Sequence, residues 1–205
     1  MLKFKRCPST WNNSSTIFIF KGQDPHQVNN WRPISITIAW YRIITAHIAR
    51  VITRANIKNP FIIPAQKGFR PGVDGCCEHA MKLNEIIADA ARNRRDIYLA
   101  TIDLRDAFGS VPHALFCSIL DQIGFSNTLV GLVKDIYRNA SATLKVRVET
   151  FNPINIRRGV KQGCPLSPIL INLCLEPLIR YISRAKNSIG YSIDIDGYQP
   201  DLTTI

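Results

Sequence analysis

The most informative part of the sequence is residues 99–113, which read Leu99-Ala100-Thr101-Ile102-Asp103-Leu104-Arg105-Asp106-Ala107-Phe108-Gly109-Ser110-Val111-Pro112-His113. From residue 98 onward the residues alternate in an apolar run typical of a buried strand, which predicts that Asp103 stands at the end of that strand. A carboxylate in that place either forms a structural ion pair with a Lys or Arg or has a functional role. The residues that follow favour the functional role.

A second carboxylate, Asp106, follows three residues later, beside the small Ala107 and the aromatic Phe108, and the run then breaks at Gly109 and Pro112. In such a turn a carboxylate can hold a divalent metal on hard oxygen ligands. The backbone of Asp106 and Ala107 can line a triphosphate, and Phe108 can form the floor of a sugar pocket. These residues are therefore candidates for nucleotide binding.

The stretch resembles motif A of the reverse transcriptases. The resemblance implies that Asp103 is the catalytic residue and a ligand of two Mg2+ ions, and that Asp106 and Ala107 contact the incoming nucleotide. It also implies that Phe108 excludes a ribose 2′-hydroxyl, so that deoxynucleotides are preferred.

A segment upstream reads Asn30-Trp31-Arg32-Pro33-Ile34-Ser35. Alone it also fits a packed loop, but its place before the motif A-like stretch gives it more weight. It resembles the fingers segment of reverse transcriptases from non-LTR retrotransposons. The resemblance implies that Arg32 reaches the incoming triphosphate, since a guanidinium forms paired hydrogen bonds to phosphate oxygens.

A loop is predicted at Gln66-Lys67-Gly68-Phe69-Arg70-Pro71-Gly72, because two glycines and a proline oppose a regular element. It is either a simple basic turn or a contact for template or nucleotide in the fingers. The same family has a Gly-Phe-Arg stretch here, which makes Arg70 a second candidate for binding the triphosphate or the template.

A third motif reads Arg158-Gly159-Val160-Lys161-Gln162-Gly163-Cys164-Pro165-Leu166-Ser167-Pro168. Gly159 and Gly163 permit close approach of the backbone, and the prolines fix a bend before a helix. The string resembles motif B of the same family. The resemblance implies that Gln162 contacts the incoming nucleotide or the templating base and that Gly163 leaves room for sugar and base.

The chain of 205 residues is 46% hydrophobic, which is typical of one large or two small globular domains. Its net charge of +11 is uneven: residues 1–70 carry eleven Lys and Arg and one acid, Asp24, whereas residues 71–205 carry fifteen basic and fourteen acidic residues. This asymmetry favours nucleic acid over lipid as a partner, the alternative being a soluble basic face without a partner.

No apolar run approaches the ~20 residues of a membrane span and no leader pattern opens the chain, so we expect an intracellular protein without membrane contact. The six cysteines lack a CxxC pair and are predicted to be reduced thiols. The string Cys76-Cys77-Glu78-His79 raises the alternative of a zinc site, but a second ligand pair at finger spacing is missing.

The remaining pattern predicts alternating strands and helices. A strand is expected at 17–20, and another at 144–148 that returns through 151–156 after a turn at Asn152-Pro153. Helices are expected at 41–55, from Asp74-Gly75 to residue 90, around 115–120, from an N-cap at Ser126, and at 166–181. Val51 and Ala55 are predicted on the buried face of the first helix, and Pro177 is predicted to kink or split the last one.

Members of the family carry a third carboxylate motif, an Asp-Asp pair on a hairpin, and the sequence contains none. Asp194 and Asp196 share one side of a predicted strand, but Asp196-Gly197 is a hairpin turn signal and these acids are interpreted as facing solvent. We therefore expect the chain to be a fragment that stops short of that hairpin.

The predicted fold class is α+β, with the fingers and part of the palm of a right-hand polymerase and no thumb. The predicted domains are a basic fingers region at 1–95 and a palm at 96–205. The resemblance implies a segment of an RNA-directed DNA polymerase from a LINE-like retrotransposon that inserts in ribosomal RNA genes, the isolated segment being inactive. Its implied partners are an RNA template, a DNA primer or target and dNTPs, with the nucleus as the place of integration.

Two alternatives remain open at this point: a group II intron-type maturase, and a catalytically decayed RNA-binding remnant. The Asn-Trp-Arg-Pro-Ile-Ser string argues against the maturase. The oligomeric state is not indicated by the sequence.

Overall fold

The computed structural model describes residues 6–184, 190–192 and 201–202, and the chain divides into two compact units. Unit 1 comprises Met1–Phe61 and Arg105–Cys174, and unit 2 comprises Ile62–Leu104 and Leu175–Ile205. Both contain helices and strands, so the predicted α+β class is confirmed. The units interleave along the sequence, and the proposed division into fingers and palm near residue 95 remains a prediction.

Unit 1 contains a five-stranded sheet. Its first strands, β1 (Asn13–Phe20) and β2 (Trp31–Ile36), are antiparallel, and β1 also runs parallel to β3 (Ser141–Val146). The short strands β4 (Glu149–Thr150) and β5 (Ile154–Asn155) both pair antiparallel with β3. The sheet therefore joins the N-terminal segment to the segment that precedes the motif B-like loop.

The helices of unit 1 supply its apolar core. They are α1 (Ala39–Lys58), the single turn α3 (Ala107–Ser110), α4 (His113–Gln122) and α5 (Asn127–Arg138), and α6 (Ser167–Arg184) begins in this unit. As predicted, the hydroxyl of Ser126 accepts a hydrogen bond from the Leu129 N–H and caps α5. The largest fully buried side chains of unit 1 include Tyr41, Ile52, Phe116, Leu120, Ile136, Tyr137, Leu166 and Leu170.

Unit 2 holds the helix α2 (Gly75–Asn93), which begins where the sequence predicts and is capped by the Asp74 side chain. It also holds the end of α6 and a two-stranded sheet of β6 (Tyr191–Ser192) and β7 (Asp201–Leu202). The Tyr191 hydroxyl donates to the buried carboxylate of Asp89 at 2.7 Å, which ties the sheet to α2. The acids Asp194 and Asp196 lie outside the described residues.

The predicted strand before Asp103 is wrong. Residues 95–104 are neither helix nor strand, and the side chains expected inside are exposed, Tyr98 by 95% and Ile102 by 74%. A strand needs a neighbour for its backbone hydrogen bonds, and none of the strands in the described residues pairs with this segment. The alternating pattern of residues 98–103 is therefore compatible with a strand, but the segment does not form one.

Three smaller expectations also need correction. The chain turns back at Arg147, with φ of 54°, and not at Asn152-Pro153, so β3 ends at Val146. On α1 the buried positions are Tyr41, Thr45, Ile48 and Ile52 rather than Val51 and Ala55. One continuous helix spans Pro177, so the split is wrong, and the alternative of a kink stays a prediction.

Among the helices in the described residues, none combines the length and the apolar character that crossing a bilayer requires.

Candidate functional site

The turn that follows Asp103 has an unusual backbone at Asp106, where φ is 50° and ψ is 50°. Asp and Asn enter this left-handed region more readily than other side chains because they can form local hydrogen bonds. Here the Asp106 carboxylate accepts from the Gly109 N–H at 3.2 Å and caps α3. The turn therefore presents Ala107 and Phe108, both half-buried, on a defined loop.

The motif B-like loop is joined directly to this turn. The Val160 N–H donates to the Phe108 carbonyl at 2.7 Å, and the Gly159 N–H donates to the Val111 carbonyl at 2.7 Å. An added Cβ on Gly159 would lie 2.6 Å from the Gly109 carbonyl oxygen. The predicted close approach at Gly159 is thus confirmed, and the partner is the motif A-like turn.

The same loop is also joined to β2, which carries Arg32. The Ser35 N–H donates to the Gln162 carbonyl at 2.7 Å. Gly163 adopts φ of +106°, and an added Cβ there would lie 2.8 Å from the Ser35 carbonyl oxygen. Unit 1 therefore connects the Arg32 strand, the Asp106–Phe108 turn and the Gln162-Gly163 turn through backbone hydrogen bonds.

A buried lysine, Lys161, anchors the motif B-like loop to the core of unit 1. Lys161 is 2% exposed, its Nζ donates to the Asn12 carbonyl at 2.6 Å, and it lies 5.0 Å from the centroid of the Tyr41 ring. The Lys161 carbonyl accepts from the Ser167 hydroxyl at 2.8 Å. Burial lowers the pKa of this ammonium to about 8, because the charged form loses hydration.

A histidine next to the turn supports the same junction. One ring nitrogen of His113, Nε2, lies 2.9 Å from the Gly159 carbonyl oxygen, so this nitrogen carries the donated proton. Burial lowers the pKa of His113, and the hydrogen bond to Gly159 opposes that shift. His113 therefore braces the motif B-like loop as a neutral donor.

Gln162 offers an unused hydrogen-bonding group. Its side-chain Oε1 is buried without a hydrogen-bond partner within the described part of the chain. An acceptor left unpaired costs free energy unless a ligand donates to it. Arg32, on the neighbouring strand, is exposed. A nucleotide could pair with both residues, because one of its hydrogen-bond donors can donate to Gln162 Oε1 and its phosphates can accept from Arg32.

Arg70 lies in unit 2, in the predicted loop between α1 and α2. The loop is anchored at its start by the buried Glu176, which accepts from the Ile63 N–H at 2.9 Å and from the Gln66 side chain at 2.9 Å. Arg180 also donates to Glu176 at 2.7 Å. Glu176 therefore fixes the root of the loop and leaves Arg70 half-buried further along.

Asp103 also lies in unit 2, where its side chain is exposed. A free carboxylate suits a hard cation such as Mg2+. Yet no group of three or more Asp, Glu, His or Cys residues that could enclose a metal occurs in residues 6–184, 190–192 and 201–202. Asp103 can thus serve as one ligand of a metal ion, but the described residues do not form a complete metal site.

The structure connects six of the predicted site residues within unit 1: Arg32, Asp106, Ala107, Phe108, Gln162 and Gly163. Arg70 and Asp103 belong to unit 2. Sequence reasoning missed the supporting roles of Lys161, His113 and Glu176. Only Glu176 had a visible signal, as the sole charged residue in the apolar run 167–179.

Residues 19–197 match the family described as reverse transcriptase (RNA-dependent DNA polymerase). The chain belongs to this family. Its members use divalent metal ions.

Among relatives, the chain is 31% identical over 173 residues to the Retrovirus-related Pol polyprotein from type-1 retrotransposable element R2 of Popillia japonica, covering 84% of this chain and 24% of that protein. It is 32% identical over 187 residues to the Retrovirus-related Pol polyprotein from type-2 retrotransposable element R2DM of Drosophila melanogaster, covering 91% and 17%. It is 28% identical over 159 residues to the Transposon TX1 uncharacterized 149 kDa protein of Xenopus laevis, covering 78% and 12%. The chain spans a quarter or less of the length of these relatives. The similarity to the R2 polyproteins supports an R2-type, LINE-like reverse transcriptase.

Proposed function

We propose that the chain is the fingers and partial palm of an RNA-directed DNA polymerase in the Pol polyprotein of an R2-type non-LTR retrotransposon. The polyprotein would copy an RNA template from a DNA primer with dNTPs, by target-primed reverse transcription. The observation that carries the proposal is the junction in unit 1. There the Val160 N–H donates a backbone hydrogen bond to the Phe108 carbonyl, and the Ser35 N–H donates one to the Gln162 carbonyl. Three segments that resemble polymerase motifs meet there, although they are far apart in sequence.

Each site residue has a proposed role. Arg32 and Arg70 bind phosphates of the incoming nucleotide or the template, since guanidinium groups form paired hydrogen bonds to phosphate oxygens. Gln162 uses its unpaired Oε1 to accept a hydrogen bond from the nascent base pair. Gly163, which is exposed, leaves room for the sugar and base, and on the side where a Cβ would stand it contacts the Ser35 backbone.

The turn after Asp103 would form the nucleotide pocket. The backbone of Asp106 and Ala107 lies along the triphosphate, and the ring of Phe108 lies under the sugar. A ring in that place leaves no volume for a 2′-hydroxyl, which selects deoxynucleotides.

The carboxylate of Asp103 would be a ligand of two Mg2+ ions, together with carboxylates from other residues. When bound, such a metal pair stabilises the attacking and leaving oxygens of a phosphoryl transfer. The exposure of Asp103 supports this role, because its carboxylate is accessible to a cation.

The maturase alternative is disfavoured by the relatives, which carry names of retrotransposon proteins. A decayed RNA-binding remnant is the other alternative. It predicts nucleic-acid binding without polymerisation, so an activity assay separates it from the main proposal. We also propose that the polyprotein acts in the nucleus, because its target would be chromosomal DNA.

The test is primer extension by the complete polyprotein carrying Asp103→Ala, with Asp121→Ala as the control. Asp121 is an exposed acid near the end of α4. We expect Asp103→Ala to abolish extension while template binding survives, and Asp121→Ala to extend normally. Normal extension by Asp103→Ala would overturn the assigned role, and absence of extension by the unsubstituted polyprotein would favour the remnant.

A further inference from the structure

The outer face of α1 has an unusual composition. One stripe along this helix, at spacings of three and four residues, is exposed throughout; we call it the α1 outer face, and its members are Trp40, Ile43, His47, Arg50, Arg54 and Ile57. Trp40 is 66% exposed and Ile57 is 74% exposed, although the opposite face of the helix is in the core. The stripe is about 25 Å long at 1.5 Å per residue.

The charges on α1 have one sign only. The helix contains four Lys and Arg residues and no Asp or Glu. The guanidinium groups of Arg50 and Arg54 form no ion pair with any carboxylate in the described residues. An ordinary solvated helix face mixes both signs, as α2 does with Glu78 and Glu85 beside Lys82. The positive charges of the α1 outer face are therefore not compensated by ion pairs within the described part of the chain.

We propose that the α1 outer face binds single-stranded nucleic acid, with a base stacked on Trp40 and the phosphates following Arg50 and Arg54. Arginines attract the phosphate chain, and an exposed aromatic ring stacks on an unpaired base. Bases inside a duplex cannot stack in this way, which favours a single strand. The inference rests on the proposed function for its class of partner and adds a contact surface outside the nucleotide pocket.

The first experiment measures binding of the full chain to a fluorescent oligouridylate and to the corresponding single-stranded DNA and a duplex, over a series of salt concentrations. The test variant is Arg50→Glu/Arg54→Glu. The control is Lys134→Glu/Arg138→Glu, which reverses the same charges at the same spacing on the exposed side of α5. All substituted side chains are exposed, so the fold is expected to survive, and thermal unfolding checks this.

We expect the test variant to weaken single-strand binding about tenfold or more and to reduce the salt slope by about 1.4, because two phosphate contacts are lost. The control is expected to bind within twofold of the original chain. Equal weakening by test and control would show only a general charge effect and would overturn the proposal. So would preference for the duplex, or binding to anionic lipid vesicles without binding to RNA.

The second experiment uses tryptophan fluorescence. The chain has three tryptophans, of which Trp11 is half-buried and Trp40 is exposed. Stacking on Trp40 predicts quenching on addition of oligouridylate, lost in Trp40→Phe and retained in Trp11→Phe. Retained quenching in Trp40→Phe would overturn the stacking contact.

These results separate the two proposals. Unaltered binding by the variants would refute the α1 surface and leave the polymerase assignment intact. Absence of polymerisation by the complete polyprotein, with the expected loss of binding in the variants, would refute the polymerase assignment alone.

Discussion

The α-carbon of Gly163 lies so close to Ser35 that a methyl group on it would stand 2.8 Å from the Ser35 carbonyl oxygen. The same two segments share the hydrogen bond from the Ser35 N–H to the Gln162 carbonyl. The strand that carries Arg32 and the loop that carries Gln162 are thus in backbone contact, and side chains at this contact would push them apart.

Gly163→Ala is expected to lower the free energy of unfolding by about 2–4 kcal/mol, because alanine at φ of +106° is strained and its methyl group meets a backbone atom. Gly131→Ala is the matched control. Gly131 lies within α5 with nothing within 4 Å of an added Cβ, so alanine there should stabilise the chain by up to about 1 kcal/mol. Urea denaturation measures both, and equal stability of the two variants would contradict the close contact.

The burial of Lys161 should make the free energy of unfolding depend on pH. Its pKa is about 8 in the folded chain and 10.5 as the ordinary value, so between these pH values the unfolded chain binds more protons. Stability should therefore rise as the pH rises through this window, and it should be constant below about pH 8, where Lys161 is protonated in both states. Relative to Lys161→Met, the original chain should gain about 2 kcal/mol between pH 7.5 and 9.5. A constant difference between the two proteins across that range would show that the lysine titrates normally.

Glu176 should stabilise the loop that carries Arg70. The side chain is 5% exposed and accepts hydrogen bonds from Ile63, Gln66 and Arg180, so Glu176→Ala removes all three of these hydrogen bonds. We expect a loss of about 3 kcal/mol and faster hydrogen exchange at the Ile63 amide. The exposed Glu85 provides the control, since Glu85→Ala should change neither quantity. Unchanged exchange at Ile63 in Glu176→Ala would refute the anchoring role.

Phe108→Val in the complete polyprotein tests the proposed sugar selection. A smaller side chain leaves room for a 2′-hydroxyl, so incorporation of ribonucleotides relative to deoxynucleotides should rise about tenfold or more. Single-nucleotide incorporation assays measure this ratio, with Phe151→Val, a substitution at an exposed aromatic residue, as the control. Unaltered selection in Phe108→Val would exclude the ring from that role.

Local chemistry made part of the fold predictable. The cap at Ser126 and the close approaches at Gly159 and Gly163 depend on residue types whose preferences are strong at short range. Each of them is present at the predicted position.

Long-range partners made the rest unpredictable. A lysine in a glycine-rich loop is usually solvated, and Lys161 is buried only because Asn12 and Tyr41, more than 100 residues away in sequence, surround it. Residues 98–103 alternate like a strand, but a strand also requires a neighbour, and periodicity cannot supply one. On α1, the sequence predicts Val51 on the buried face, whereas the structure buries its neighbour Ile52. An apolar stripe read from the sequence does not define the buried face of a helix to within one residue.

The exposed segment before the motif A-like turn has a consequence for solubility. Tyr98, Leu99 and Ile102 are exposed in a segment that is neither helix nor strand, and exposed apolar residues of this kind promote pairing between chains and aggregation. Charged residues protect such stretches by repelling that pairing, and within the segment Asp103 is the charge nearest to Ile102. Replacing Asp103 with an apolar residue should therefore lower the yield of soluble protein as well as remove the proposed metal ligand, and Asp103→Asn is the gentler substitution.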